Sequence, residues 1–182
     1  MALLAEELVE EWLNRQGYFT IRGAKVGVHE IDLLAIRSQG EGLERRHIEV
    51  QASLRPIGYI SPLTSADAAS TGQGRNNARK RTEAELRGGV VVWVERKYAN
   101  PKKESLRQAL APGEWSRELV LHRVRDESEV RMIEELDVRV TRLDAIVADL
   151  ARGGTMLQGG AGTNFAELIA IGPSQTARRP AK

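Results

Sequence analysis

The chain has no cysteine. That excludes disulfides, thiolate zinc sites and cysteine nucleophiles together. Histidine occurs three times, too few to expect a His-rich zinc site. A metal, if one is used, would be a hard cation held by oxygens. Aromatic residues make up 4% of the chain, which argues against base-stacking platforms of the RRM or OB type. No run of 18 apolar residues occurs, so no transmembrane helix is expected. The opening Met-Ala-Leu-Leu-Ala-Glu-Glu lacks a basic segment and a long apolar core, so it does not read as a secretory signal. A cytoplasmic protein without a membrane partner is expected. Walker chemistry is also missing. Gly159-Gly160-Ala161-Gly162 follows no strand and precedes no Lys-Ser/Thr pair.

The 182 residues predict one domain, and 41% hydrophobic content suffices for its core. The net charge of +2 and pI of about 9.1 are mildly basic, short of a dedicated nucleic-acid binder. Distribution says more than the sum. Arg75, Arg79, Lys80 and Arg81 crowd one window, with no acid between Asp67 and Glu83.

Apolar spacing predicts a helix over 2–16, with Leu4, Leu8 and Trp12 on its stripe and Gly17 as C-cap. Strands are expected at 18–22, 29–37 and 45–52, with Gly23 to Gly27 as a turn. Leu54 to Gly74 reads as a long loop. Arg75 to Arg87 reads as a basic helix ending at Gly88-Gly89. Val90 to Val94, apolar throughout, reads as a central strand. Helices are expected over 101–110, 127–136 and 143–152, and strands over 118–124 and 138–142. The order predicts an α/β sandwich with a mixed sheet, the first three strands forming a meander. Residues 1–152 would form the core. Residues 153–182 would form a glycine-rich tail with a short helix from Thr163 to Ile171 and a disordered end.

Two segments carry the chemistry. His29-Glu30-Ile31-Asp32-Leu33-Leu34-Ala35-Ile36 and His47-Ile48-Glu49-Val50-Gln51 each set a carboxylate in an apolar strand. Burying a carboxylate is costly unless it is paired or holds a metal. Asp32 and Glu49 on adjacent strands would bind one Mg²⁺ or Mn²⁺, with the Val50 carbonyl as a third ligand and a glutamate of the first helix assisting. Such an ion serves phosphodiester hydrolysis.

These residues resemble the PD-(D/E)xK nuclease superfamily, nearest to Mrr-type endonucleases and archaeal Holliday-junction resolvases. The match runs Ala5-Glu6-Glu7-Leu8-Val9, Gly17-Tyr18, Gly27, Ile31-Asp32-Leu33-Leu34-Ala35 and Ile48-Glu49-Val50-Gln51. It covers about residues 5–52, with Val90 to Val94 fitting the family's next core strand. The resemblance implies a restriction-endonuclease-like α/β sandwich and Mg²⁺-dependent cleavage of DNA. It implies Asp32, Glu49, Val50 and Glu6 at the metal. Gln51 would stand where the family usually has a lysine that orients the attacking water. Glutamine has similar reach but no charge, and a basic residue from elsewhere, such as Lys25 or Lys80, would compensate. Arg75, Arg79, Lys80 and Arg81 would contact phosphates. Cutting two strands often uses two sites, so a homodimer fits this reading.

Blander readings stand beside it. Asp32 and Glu49 would be strand acids satisfied by arginine or backbone donors. Glu6 would be a helix N-terminal acid favoured by the macrodipole. The basic cluster would be a solvated face. His29 and His47 would sit at strand ends, and His122 would be structural. The functional alternatives are a nuclease-fold module that binds nucleic acid without cutting it, and a protein-interaction domain.

Overall fold

The computed structural model describes residues 2–53, 55–72, 74–153 and 156. The expected tail helix at Thr163 to Ile171 lies outside them. Helix α1 (Ala2–Arg15) buries Ala5, Leu8, Val9 and Leu13 along one side, the spacing an amphipathic helix requires. Gly17, at φ +83°, ends it, and the Tyr18 N–H returns to the Leu13 carbonyl at 3.1 Å. A positive φ is cheap only for glycine.

Strand β1 (Phe19–Val26) pairs antiparallel with β2 (His29–Gln39), and β2 with β3 (Gly42–Gln51). The expected turn over Gly23 to Gly27 is shorter than the sequence suggested. Val26 still pairs with His29, so the turn is Gly27-Val28 alone. Gly27 takes φ +62°, as a two-residue hairpin of the primed type demands. Beyond β3 the chain crosses over through α2 (Ser65–Thr71), α3 (Glu83–Tyr98) and α4 (Pro101–Leu110) to β4 (Ser116–Leu121). Strand β4 lies parallel to β3. After α5 (Glu127–Glu134), β5 (Arg139–Arg142) lies parallel to β4, and α6 (Leu143–Arg152) follows. The described residues thus form a mixed five-stranded sheet in the order β1-β2-β3-β4-β5.

Helices cover both faces. Leu33, Ala35, Ile48, Val50 and Val120 pack on α1 and α6. Leu119 and Leu121 pack on α3 and α5. Leu34 and Ile31 meet Ala111 and Trp115. This is the expected α/β sandwich with a meander first. Buried Arg46 ties β3 to β4 through paired bonds of 2.8 and 2.5 Å to Glu118, the bidentate geometry that makes such pairs strong.

Two expectations fail in the crossover. Val90 to Val94 is not a strand; it lies inside α3. Nor is Arg75 to Arg81 helical; it is an irregular segment before α3. The start is fixed by a capping box. Thr82 Oγ1 accepts from the Glu85 N–H, and the Glu85 carboxylate accepts from the Thr82 N–H at 2.8 Å. A good N-cap contributes about 1 kcal/mol. Val90, Trp93 and Val94 are buried whereas Val91 and Val92 are exposed, a helical pattern that a run of valines conceals. Gly88-Gly89 is a packing position, not a stop. A Cβ on Gly89 would lie 2.7 Å from the Pro62 carbonyl oxygen. The expected loop at 54–74 also contains the short helix α2.

Candidate functional site

Strands β2 and β3 part at the acids. Leu33 opposite Ile48 is the last paired position, and one step further Asp32 and Glu49 fall opposite each other. There the Val50 N–H donates not to β2 backbone but to Asp32 Oδ2, at 2.8 Å. By the two-residue period of a strand, His47, Glu49 and Gln51 face α3 and α4 while Ile48 and Val50 enter the α1 side of the core. The sequence expectation of two acids side by side on one sheet is met.

The surroundings of Glu49 were not expected. Its carboxylate is fully buried. Oε1 accepts from Lys103 Nζ at 2.9 Å and lies 3.1 Å from His47 Nε2, and Oε2 accepts from Lys97 Nζ. Lys97 sits in the last turn of α3. Lys103 sits in the first turn of α4, which Asn100 caps and Pro101 opens. Arg107 donates to His47 Nδ1 and, at 2.8 Å, to the Tyr98 carbonyl. Because Nδ1 accepts, the His47 proton is on Nε2, aimed at Glu49. Burial first, then the Arg107 and Lys103 charges, outweigh Glu49 and lower the His47 pKa to about 4. The ring is neutral at pH 7.

The two acids are driven apart. Burial raises the pKa of Glu49, but the His47 bond and the charges of Lys97 and Lys103 overcome it and carry it down to about 2. Asp32 moves the other way. Burial, then the Glu49 charge, raise it to about 7 against Lys97 and the Val50 bond. Glu49 is therefore a permanent anion, and Asp32 exchanges its proton near neutrality. Perturbation of this kind is concentrated at functional sites.

Glu6 is half-buried on α1. Burial raises its pKa, Arg22 opposes, and Glu30, Glu49 and Glu7 raise it further. It senses Glu49 electrostatically, yet no three His, Asp or Glu side chains among the described residues group closely enough to cage a metal. The donors at hand are Asp32, whose Oδ1 accepts no hydrogen bond from the described residues, Glu49, and nearby backbone carbonyls. Mg²⁺ is commonly held by one or two carboxylates and keeps several waters, so this set fits a hydrated hard cation once Lys97 yields Oε2.

Gln51 ends β3, and its carbonyl accepts from the His122 N–H at 3.2 Å. The cations at the acids are Lys97 and Lys103, not Lys25 or Lys80, both of which are exposed. Lys97 was missed because its helix was read as a strand. The Thr82-x-x-Glu85 box was the available signal. His29 is 3.5 Å from the Asn100 amide, and His122 Nδ1 bonds the Ser53 carbonyl at 2.8 Å, a structural role.

The basic cluster is split. Arg79 pairs with Glu85. Lys80 is exposed. Arg75 Nε donates to the Leu63 carbonyl at 2.7 Å. Arg81 is buried, with Nη1 on the Ser61 carbonyl at 2.7 Å. No helix of the described residues is long and apolar enough to cross a membrane. No family model, no curated protein and no solved structure matches this chain.

Proposed function

We propose that the protein is a metal-dependent nuclease of the restriction-endonuclease-like type, hydrolysing phosphodiester bonds in DNA. One observation carries the reading: Asp32 and Glu49 meet where β2 and β3 part, with the Lys97 ammonium on Glu49. This supplies from α3 the positive charge that Gln51 lacks on β3.

Asp32, Glu49 and the Val50 carbonyl would hold Mg²⁺ or Mn²⁺, with Glu6 assisting through water. The bound ion supplies a water of lowered pKa and charge for the transition state. The chain's own residues do the rest. Lys103 and His47 fix the Glu49 carboxylate, so its direction does not depend on the ion. Gln51 offers an amide to orient water or a phosphate oxygen. Lys97, half-buried and the more accessible of the two lysines, offsets negative charge as it develops. Removing one such stabilising donor costs about 3–4 kcal/mol in comparable sites.

A second reading, a nuclease-like module that binds DNA without cutting it, rests on Glu49. Both its oxygens are already engaged by ammonium groups, a closed ion cluster that needs no metal. Plasmid cleavage in Mg²⁺ and Mn²⁺ separates the two. Cleavage by the wild type and its loss in Asp32→Asn and Glu49→Gln are expected. Equal cleavage by all three, or none by the wild type under either ion, rejects the proposal.

A further inference from the structure

Gln51 and Lys97 line more than the acid site. They also line a cleft of about 720 Å³, whose wall carries Arg75, Arg81, Arg96 and Arg125. Among the described residues lining it there are five cations and no carboxylate. The cations come from the segment before α3, from α3 itself, and from the loop after β4.

Arg81 is the decisive residue. It is 6% exposed, yet it makes no salt bridge with a described residue, and its Nε is buried without a hydrogen-bond partner. Its guanidinium lies 3.8 Å from the Tyr59 ring centre, its Nη1 is fixed on the Ser61 carbonyl, and its N–H is held by the Tyr59 hydroxyl at 3.2 Å. The nearby acid Glu129 makes no salt bridge with it. The Glu129 oxygens accept from the Ile60 and Ser61 N–H groups at 2.7 Å and from the Ser61 hydroxyl. Arg81 Nη2 also reaches the Arg75 carbonyl at 3.4 Å, so the guanidinium is held by neutral carbonyls and an aromatic face without a paired anion. A buried cation without a paired anion is costly. An anion in the cleft would offset that charge. Burial indeed lowers the Arg81 pKa, with Glu129 opposing.

We infer that this cleft binds the phosphodiester backbone of a single DNA strand, with Arg81 as its anchor, and leads that strand to Gln51 and Lys97. The identity of the strand rests on the nuclease reading; the anion preference rests on the cations alone. The volume falls in the range of about 300–1,000 Å³ that encloses small ligands, suited to one nucleotide unit of a strand. Arg81 would offset the phosphate charge from the cleft wall, and Arg96 and Arg125, both exposed, would contact the phosphates directly.

The test is fluorescence anisotropy of labelled dT10 and of a 10-base-pair duplex, in EDTA so that cleavage cannot intervene. The wild type is expected to bind dT10 more tightly than the duplex. Arg96→Gln and Arg125→Gln are each expected to weaken dT10 binding roughly fivefold and to lower the salt slope by about 0.7, the value for one single-strand phosphate contact. Arg81→Lys should weaken it further. Unchanged affinity in both surface variants overturns the site, whether or not Arg81→Lys folds. Equal or tighter binding of the duplex overturns the single-strand assignment. Binding that persists without any plasmid cleavage keeps the cleft and removes the nuclease; cleavage without these binding losses does the reverse.

Discussion

Asp32→Asn should make the protein more stable, and only above about pH 4. The folded state raises the Asp32 pKa from 3.8 to about 7. Between these values the folded chain holds a proton that the unfolded chain has released. Wild-type stability therefore falls as pH rises through this window and levels off above about 7. At 1.36 kcal/mol per tenfold the full displacement amounts to about 4 kcal/mol. Asp32 is only partly buried, so solvent screening reduces this to about 2 kcal/mol. Asparagine keeps an oxygen for the Val50 N–H and carries no charge at any pH. The variant should match the wild type at pH 4 and melt about 4–8 °C higher at pH 8. The assay is thermal denaturation by circular dichroism from pH 4 to 8, in EDTA. A gain that is constant across pH, or a variant less stable at pH 8, would refute the claim that Asp32 is held beside a permanent anion.

Other outcomes follow from the same geometry. Glu49→Gln leaves Lys103 buried without a counter-ion and should cost about 3–5 kcal/mol in urea unfolding; adding Lys103→Met should recover part of it, and full additivity would contradict the pairing. Lys97→Met removes one of the two ammoniums on buried Glu49, so it should lower the melting temperature as well as reduce plasmid cleavage at least about 100-fold, and Gln51→Lys in that background should restore part of the rate. Gly89→Ala brings a methyl group within 2.7 Å of the Pro62 carbonyl and should cost about 1–3 kcal/mol, read by the same denaturation assay. Millimolar Mn²⁺ should raise the melting temperature of the wild type but not of Asp32→Asn, since only a ligand that prefers the folded state stabilises it.

Three of the helices flanking the sheet were legible because their patterns are unambiguous. The stripe of α1, the Pro-opened α4 and the amphipathic α6 have the expected spans to within a residue. The first hairpins were legible too, as alternating strands around glycine turns. The error fell on Val90 to Val94, where an unbroken apolar run fits a buried strand and a half-buried helix equally well. Only length and caps decide such a case. Glycines at 88 and 89 looked like a terminator, and their role in close packing against the 61–62 backbone is a tertiary fact.

That misreading hid Lys97; Lys103 lies in the correctly read α4, and its approach to Glu49 is a tertiary fact. Asp32, Glu49 and Gln51 lie on strands and were found by reading along them. Lys97 is nearly fifty residues beyond Glu49 and belongs to the site only if residues 83–98 are helical. A strand at 90–94 ends before Lys97 and gives it no route to Glu49. A helix beginning at Thr82 carries Trp93 into the core and sets Lys97 one turn further on, over the acid. A charge beside a phosphate depends on where its atom is, not on which element delivers it. Gln51 on β3 and Lys97 on α3 line the same cleft, so either position can supply that charge. A neutral residue at 51 is therefore weak evidence against catalysis. The rescue of Lys97→Met by Gln51→Lys is the direct measure of whether the two positions are interchangeable.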